Sequence, residues 1–108
     1  MNGWNVSLPD PKDSLGTQFD GRLIDDVSLL NMSFYNNPEV NRLLDEGSAA
    51  TDLAVRFARY RAAERLILRD APYAFLGHGR LFALRQAWVK GPVLDSLWWF
   101  RFDRVLFD

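Results

Sequence analysis

A single histidine, His78, and the absence of cysteine bound the chemistry open to this 108-residue chain. Thiolate nucleophiles, disulfides and cysteine-based zinc or iron–sulfur sites are excluded together. One imidazole cannot build a multi-histidine metal site. His78 stands between Gly77 and Gly79 with no evident serine–aspartate pair, so it reads as a hinge or sheet-end residue, not a general base. Asp25–Asp26 and Asp45–Glu46 are adjacent carboxylates on a loop and a helix end, a surface-charge pattern and not a pair flanking a scissile bond. Arg56, Arg59, Arg61, Arg65 and Arg69 crowd one segment as a phosphate site would, yet their spacing scatters them around a helix that Asp52, Glu64 and Asp70 neutralise. That is a solvated face, and no nucleic-acid partner is expected. What remains is recognition chemistry. Trp4 can stack on a ligand or pack in a core. Asn5 and Asn31 can hydrogen-bond a ligand or, as asparagine in turns usually does, the chain's own backbone.

The elements that must position these residues are legible in part. Val6–Ser7–Leu8 ends a short strand over residues 1–8, and Pro9–Asp10–Pro11 breaks it. Asp10 or Asp13 opens a short helical segment through about Phe19, weakened by Gly16 and followed by Gly21. Residues 22–30 read as loop, and Asn31 to Asn37 as irregular or a short strand. Asn37–Pro38–Glu39 is a helix start, with Val40, Leu43 and Leu44 forming one apolar stripe and Gly47 the expected stop. Thr51–Asp52 starts a longer helix whose buried face should hold Leu53, Phe57, Tyr60, Ala63, Leu66 and Ile67, with Asp52 and Arg56 as an exposed pair and Pro72 as the end. Tyr73–Leu76 and Leu81–Leu84 read as two strands, Val89–Lys90–Gly91–Pro92 as a strand end and turn, and Trp98–Phe102 as an alternating strand.

Composition agrees with a packed protein. Apolar residues make up 48%, including four Trp and eight Phe, and the net charge is only -1, so no global field favours nucleic acid or an anionic surface. No apolar run reaches the roughly 20 residues of a membrane span. The opening Met-Asn-Gly-Trp-Asn has no basic segment followed by an apolar stretch, as a signal peptide would.

Four patterns, in order, resemble the last part of the dipeptide- and oligopeptide-binding solute receptors of ABC importers, family 5, whose relatives also carry nickel complexes, glutathione or oligosaccharides. They are Gly3–Trp4 with Pro9–Asp10–Pro11 and Leu15; Asn31 and Tyr35 with Asn37–Pro38–Glu39–Val40 and Leu43–Leu44; Asp52, Arg56 and Tyr60 with Asp70–Ala71–Pro72 and His78; and Val89–Lys90–Gly91 with Phe102–Asp103–Arg104–Val105. The resemblance implies an α/β protein, α+β within this segment, forming part of a periplasmic-binding-protein-like two-lobed fold with two main helices and mixed-sheet strands. Residues 1–77 would belong to the carboxy-terminal ligand-binding lobe. Residues 78–108 would cross the hinge and complete the other lobe.

The resemblance further implies a receptor and not an enzyme, periplasmic or lipid-anchored at the outer face of a bacterial membrane. It would bind a small peptide, an oligosaccharide or another organic solute between its lobes without a cofactor, and deliver it to an ABC permease. The ligand-facing residues of this segment would be Trp4, Asn5, Ser7 and Asn31. In peptide-binding relatives an aspartate three residues after the tryptophan pairs with the ligand's α-ammonium; Ser7, neutral and short, occupies that position here, so a free amino terminus is not expected to anchor at it. Much longer relatives imply that the amino-terminal part of the same protein lies outside this sequence. An isolated chain should then expose an apolar patch around Trp98, Trp99 and Phe100, associate with itself, or require its missing lobe. The reading from another class is a free-standing α/β interaction module with Trp98–Phe102 as its interface.

Overall fold

Each helix begins where a short polar side chain accepts from an N–H group that the first turn leaves without a partner. In the computed structural model, which describes residues 7–25, 27, 30–77, 79–80, 82–91, 94–95, 99–100 and 102–107, this happens three times. Asp10 caps α1 (Pro11–Phe19), accepting from the Lys12 N–H at 2.8 Å. Asn37 caps α2 (Pro38–Ala49), accepting from Glu39 at 3.0 Å and Val40 at 3.4 Å. Asp52 caps α3 (Leu53–Asp70), accepting from Val55 at 2.9 Å. Proline occupies the first position of α1 and α2, where its missing N–H costs nothing. A 3-10 turn, Gly21–Leu23, follows α1 and is capped by Asp20.

The chain divides into two compact units, Met1–Phe75 and Leu76–Asp108. In the first, α2 and α3 form a helical hairpin and α1 packs against both. The core holds Phe19, Val40, Leu43, Leu44, Tyr60, Ala63 and Ile67, flanked by half-buried Leu15, Tyr35, Ala62, Leu66 and Tyr73. Burying each large side chain of this set contributes about 1.5–3 kcal/mol before the entropy of ordering is counted. The Phe19 ring stands edge-on to Tyr35 and Tyr73, with centroids 6.3 and 5.7 Å away.

The second unit carries two short antiparallel ladders. β1 (Val89–Lys90) pairs with β4 (Leu106–Phe107), and β2 (Leu94–Asp95) pairs with β3 (Trp99–Phe100). Trp88 packs on Phe107 with ring centroids 5.7 Å apart. Gly91 turns the chain after β1 at φ 90°, and a Cβ there would lie 2.2 Å from the Arg104 carbonyl oxygen, so no other residue fits.

Several expectations are corrected. The short helical segment expected before Phe19 is present as α1 beside the two main helices, with Asp10 and Pro11 together making it a capped helix. Gly47 does not stop α2, which runs to Ala49; the position is a contact point, where a Cβ would meet the Tyr60 Cε1 at 2.8 Å. Leu53 and Phe57 are 65% and 38% exposed and do not line the core. Leu53 stands at the very start of α3, and Phe57 lies to one side of the line through Tyr60, Ala63 and Ile67. Tyr73–Leu76 and the described residues of 81–84 form no strand. A short apolar run does not by itself show whether a partner edge exists. The described sheet content is two small antiparallel ladders, so the fold is α+β. Trp98 and Arg101, needed to test the alternation of the last strand, lie outside the described residues.

Tyr60 is 2% exposed, and its hydroxyl is buried without a hydrogen-bond partner among the described residues. An unpaired buried hydroxyl costs about 1–3 kcal/mol, so Tyr60→Phe should stabilise the chain by about 1 kcal/mol. Urea denaturation checks this; a loss of stability would mean the hydroxyl has a partner.

Candidate functional site

Of the four residues expected to face a ligand, Ser7 and Asn31 are described; Trp4 and Asn5 lie outside the described residues, as does His78. Ser7 is exposed, and α1 brings Asp13 to it. The Ser7 N–H donates to one Asp13 carboxylate oxygen at 2.6 Å and its hydroxyl to the other at 3.0 Å. Asp13 lies in the first turn of α1, where the positive helix end favours an ionised carboxylate. Ser7 is therefore held against a carboxylate six residues along the chain, a pairing that the pattern around Trp4 did not reveal.

Behind this turn sits the most connected polar group of the unit. Asp10, while capping α1 with one oxygen, accepts with the other from Arg56 Nη2 at 2.7 Å and Nε at 3.0 Å. Arg56 Nη1 donates to the carbonyls of Gly47 and Ser48 at 3.1 and 3.3 Å, in the last turn of α2, where helices leave carbonyls unpaired. The same guanidinium lies 5.3 Å from the Tyr60 ring centroid. Arg56 is thus not the exposed partner of Asp52: Asp52 turns back to cap its own helix, while Arg56 points inward along the Tyr60 face and joins all three helices.

Asn31 is 2% exposed and adopts φ 42°, a left-handed conformation that asparagine tolerates. Its amide nitrogen donates to the carbonyls of Asp20 at 3.0 Å and Tyr35 at 2.7 Å. Its amide oxygen accepts from the Tyr35 N–H and the Ser33 hydroxyl, both at 3.1 Å. Two donors and two acceptor directions are what a carboxamide has, so the chain's own groups occupy them all. The Asn31 N–H donates to the Thr17 carbonyl at 3.3 Å, tying this loop to the end of α1.

The loop is fastened to the far end of α3 as well. The Tyr35 hydroxyl and the Asn37 amide donate to one Asp70 oxygen at 2.7 and 2.8 Å, and Arg69 Nε donates to the other at 2.9 Å. These donors hold the Asp70 carboxyl below the usual carboxylate range, and Arg22 does the same to Asp20. Burial, with Asp70 as hydrogen-bond partner, pushes the Tyr35 phenol from 10.0 up to about 12.

Stability should respond at both extremes of pH. Asp20 and Asp70 are depressed in the folded chain, so the unfolded chain binds protons first as pH falls, and stability declines below about pH 4. The raised phenol acts oppositely: the unfolded tyrosine ionises first, and stability declines as pH climbs from 10 towards 12. Denaturation midpoints between pH 9 and about 11.5 should fall less steeply for Tyr35→Phe than for the parent chain. Equal slopes would place the alkaline sensitivity elsewhere.

The described residues include no group of three or more His, Asp or Glu able to hold a metal ion, and none of their helices is long and apolar enough to cross a membrane. No family model matches the chain, and no solved structure matches it. Curated proteins do. A probable di/tripeptide-binding protein of Pseudomonas aeruginosa is 31% identical over 103 residues, 95% of this chain and 19% of its own length. A probable D,D-dipeptide-binding periplasmic protein of Escherichia coli is 34% identical over 67 residues, 62% of this chain and 13% of its own. The periplasmic murein peptide-binding protein of the same organism is 30% identical over 66 residues, 61% of this chain and 12% of its own. The chain therefore spans less than a fifth of the length of each.

The patterns that carried the resemblance meet in space as framework. Asp10 of the first pattern pairs with Arg56 of the third, and Tyr35 and Asn37 of the second converge on Asp70 of the third. Across 61–95% of its length the chain is similar to a short segment of proteins named for binding peptides, in keeping with the resemblance that its ordered patterns carry.

Proposed function

We propose that the chain forms part of an extracytoplasmic receptor that binds a peptide or related organic solute between two lobes and hands it to an ABC permease. The observation that carries this reading is the 31% identity to a di/tripeptide-binding protein across 95% of the chain. Relatives named for peptides favour a peptide over an oligosaccharide, and relatives named as periplasmic favour a site outside the cytoplasmic membrane, free or lipid-anchored. All three are named as binding proteins, so the role is to hold a ligand without transforming it. Affinity would come from burying the ligand as the lobes close, a hinge motion whose energy is that of differential contact.

Within this segment Trp4, Asn5 and Ser7 are the proposed ligand-facing residues. Asn31 enters the site as the anchor of the loop between α1 and α2, its amide being engaged by the chain itself. Ser7 contributes a hydroxyl already donated to Asp13, not a carboxylate, so the free amino terminus of a peptide is not held by this residue.

Titration calorimetry of the full polypeptide with trialanine and with N-acetyl-trialanine tests both levels. Saturable binding of both, with dissociation constants within about threefold of each other, is expected. Binding that disappears on acetylation would overturn the ligand assignment at Ser7, and binding of neither, nor of other di- and tripeptides, would overturn the peptide-receptor reading.

A further inference from the structure

The pairing of Ser7 with Asp13 leaves the serine side chain one kind of polar capacity. A serine hydroxyl has one proton to donate and two lone pairs to accept with, and it ordinarily rotates to suit its partner. Here the proton is committed to one Asp13 oxygen at 3.0 Å, and the Ser7 N–H to the other at 2.6 Å. A carboxylate offers acceptors only, so the direction of both bonds is fixed. The Ser7 side chain can then meet a further group only through the lone pairs of its Oγ. Donating to a carboxylate also polarises that oxygen and makes it a better acceptor.

Asp13 is itself held in place, because α1 is fastened at both ends. At its start Asp10 accepts from Arg56 of α3 at 2.7 Å, and near its end the Thr17 carbonyl accepts from the Asn31 N–H at 3.3 Å. The Thr17 hydroxyl donates back to the Asp13 carbonyl at 2.6 Å, and Phe19 is buried in the core. A partner carried on a fixed helix orients a side chain better than one carried on a loop. We infer that Asp13 is a positioning residue that makes the Ser7 hydroxyl an obligate acceptor. The group a ligand presents there is then an N–H donor such as a peptide amide, and not a carbonyl or carboxylate oxygen, whose lone pairs would face those of Oγ. This rests on the reading of Ser7 as ligand-facing in a peptide receptor, and it names what the peptide must turn towards that residue.

The test is calorimetric titration of the full polypeptide with N-acetyl-trialanine and its three ester analogues, in each of which one amide N–H is replaced by oxygen. One ester is expected to bind the parent at least about fivefold more weakly than the amide, since a donor is lost and lone pairs oppose each other. Ser7→Ala should bring that ratio below about twofold, because the acceptor is gone. Asp13→Asn should do the same: its amide donates to Oγ and frees the Ser7 proton to point at the ligand. Asp13→Ala, which lets the hydroxyl rotate, is the second variant and should behave alike. An Asp13 that only supports α1 would shift the urea midpoint and leave the ester ratio at its parent value in both variants, which overturns the inference. So does a parent in which no ester shows a penalty that depends on Ser7. A parent that binds no di- or tripeptide overturns the receptor reading and this inference with it, whereas one that binds the amide with the wrong ratios overturns the inference alone.

Discussion

Arg56→Ala should lower the unfolding free energy by about 2–4 kcal/mol. The Arg56 side chain is 17% exposed, and its guanidinium bridges Asp10, the last-turn carbonyls of α2 and the Tyr60 ring. Truncation leaves the Asp10 carboxylate, itself 31% exposed, without its cation, and returns two carbonyls to the unpaired state of a helix end. Arg56→Lys keeps the charge but not the planar fork that reaches both partners, so it should recover less than half of the loss. Asp10→Asn preserves the cap on α1 and removes the charge, and should cost about 1–2 kcal/mol. Urea denaturation of the four chains, with the Asp10→Asn/Arg56→Ala double variant, closes a cycle. A coupling near zero would show that the two side chains act independently.

Asn31→Ala is expected to follow closely, at about 3 kcal/mol. Four hydrogen bonds vanish, leaving the Asp20 and Tyr35 carbonyls and the Tyr35 N–H without their partner in a half-buried loop. Alanine must also adopt φ 42° there, which adds about 1 kcal/mol that glycine avoids. Asn31→Gly should therefore lie above Asn31→Ala in stability and well below the parent. Thermal unfolding of the three chains orders them; an Asn31→Ala chain within experimental error of the parent would mean that solvent replaces the carboxamide at no cost.

Local chemistry was the legible part of this chain. Asn37–Pro38–Glu39 announced the start of α2 to the residue, because cap, proline and acidic first turn act on the same few N–H groups. Asp52 and Pro72 bracketed α3 for equally local reasons. Gly47 shows the limit: glycine at that point is required by the Tyr60 ring thirteen positions away, and a terminator and a contact point are identical as letters. Arg56 shows it again. Its spacing to Asp52 suits an i,i+4 pair, yet its partner is Asp10, 46 residues away, while Asp52 caps α3. The two strands expected after Pro72 rested on short apolar runs, and the described residues there form no strand. Leu53 and Phe57 had the right period, yet they lie outside the core that α1, α2 and α3 share. At the proposed site the residue types were readable, while the pairing of Ser7 with Asp13 depended on how α1 leaves the Pro9–Pro11 turn.

Of the residues that carry the family resemblance, Asp10, Tyr35, Asn37, Arg56 and Asp70 build the framework of the segment, and Arg56 is not expected to set which passenger is bound. Calorimetric titration of the full polypeptide with trialanine, parent against Arg56→Ala, at a temperature where both are folded, tests it most directly. The account predicts a lowered unfolding midpoint with a dissociation constant unchanged within about threefold. A binding loss of tenfold or more with the midpoint unmoved would contradict it, and would place Arg56 at the ligand.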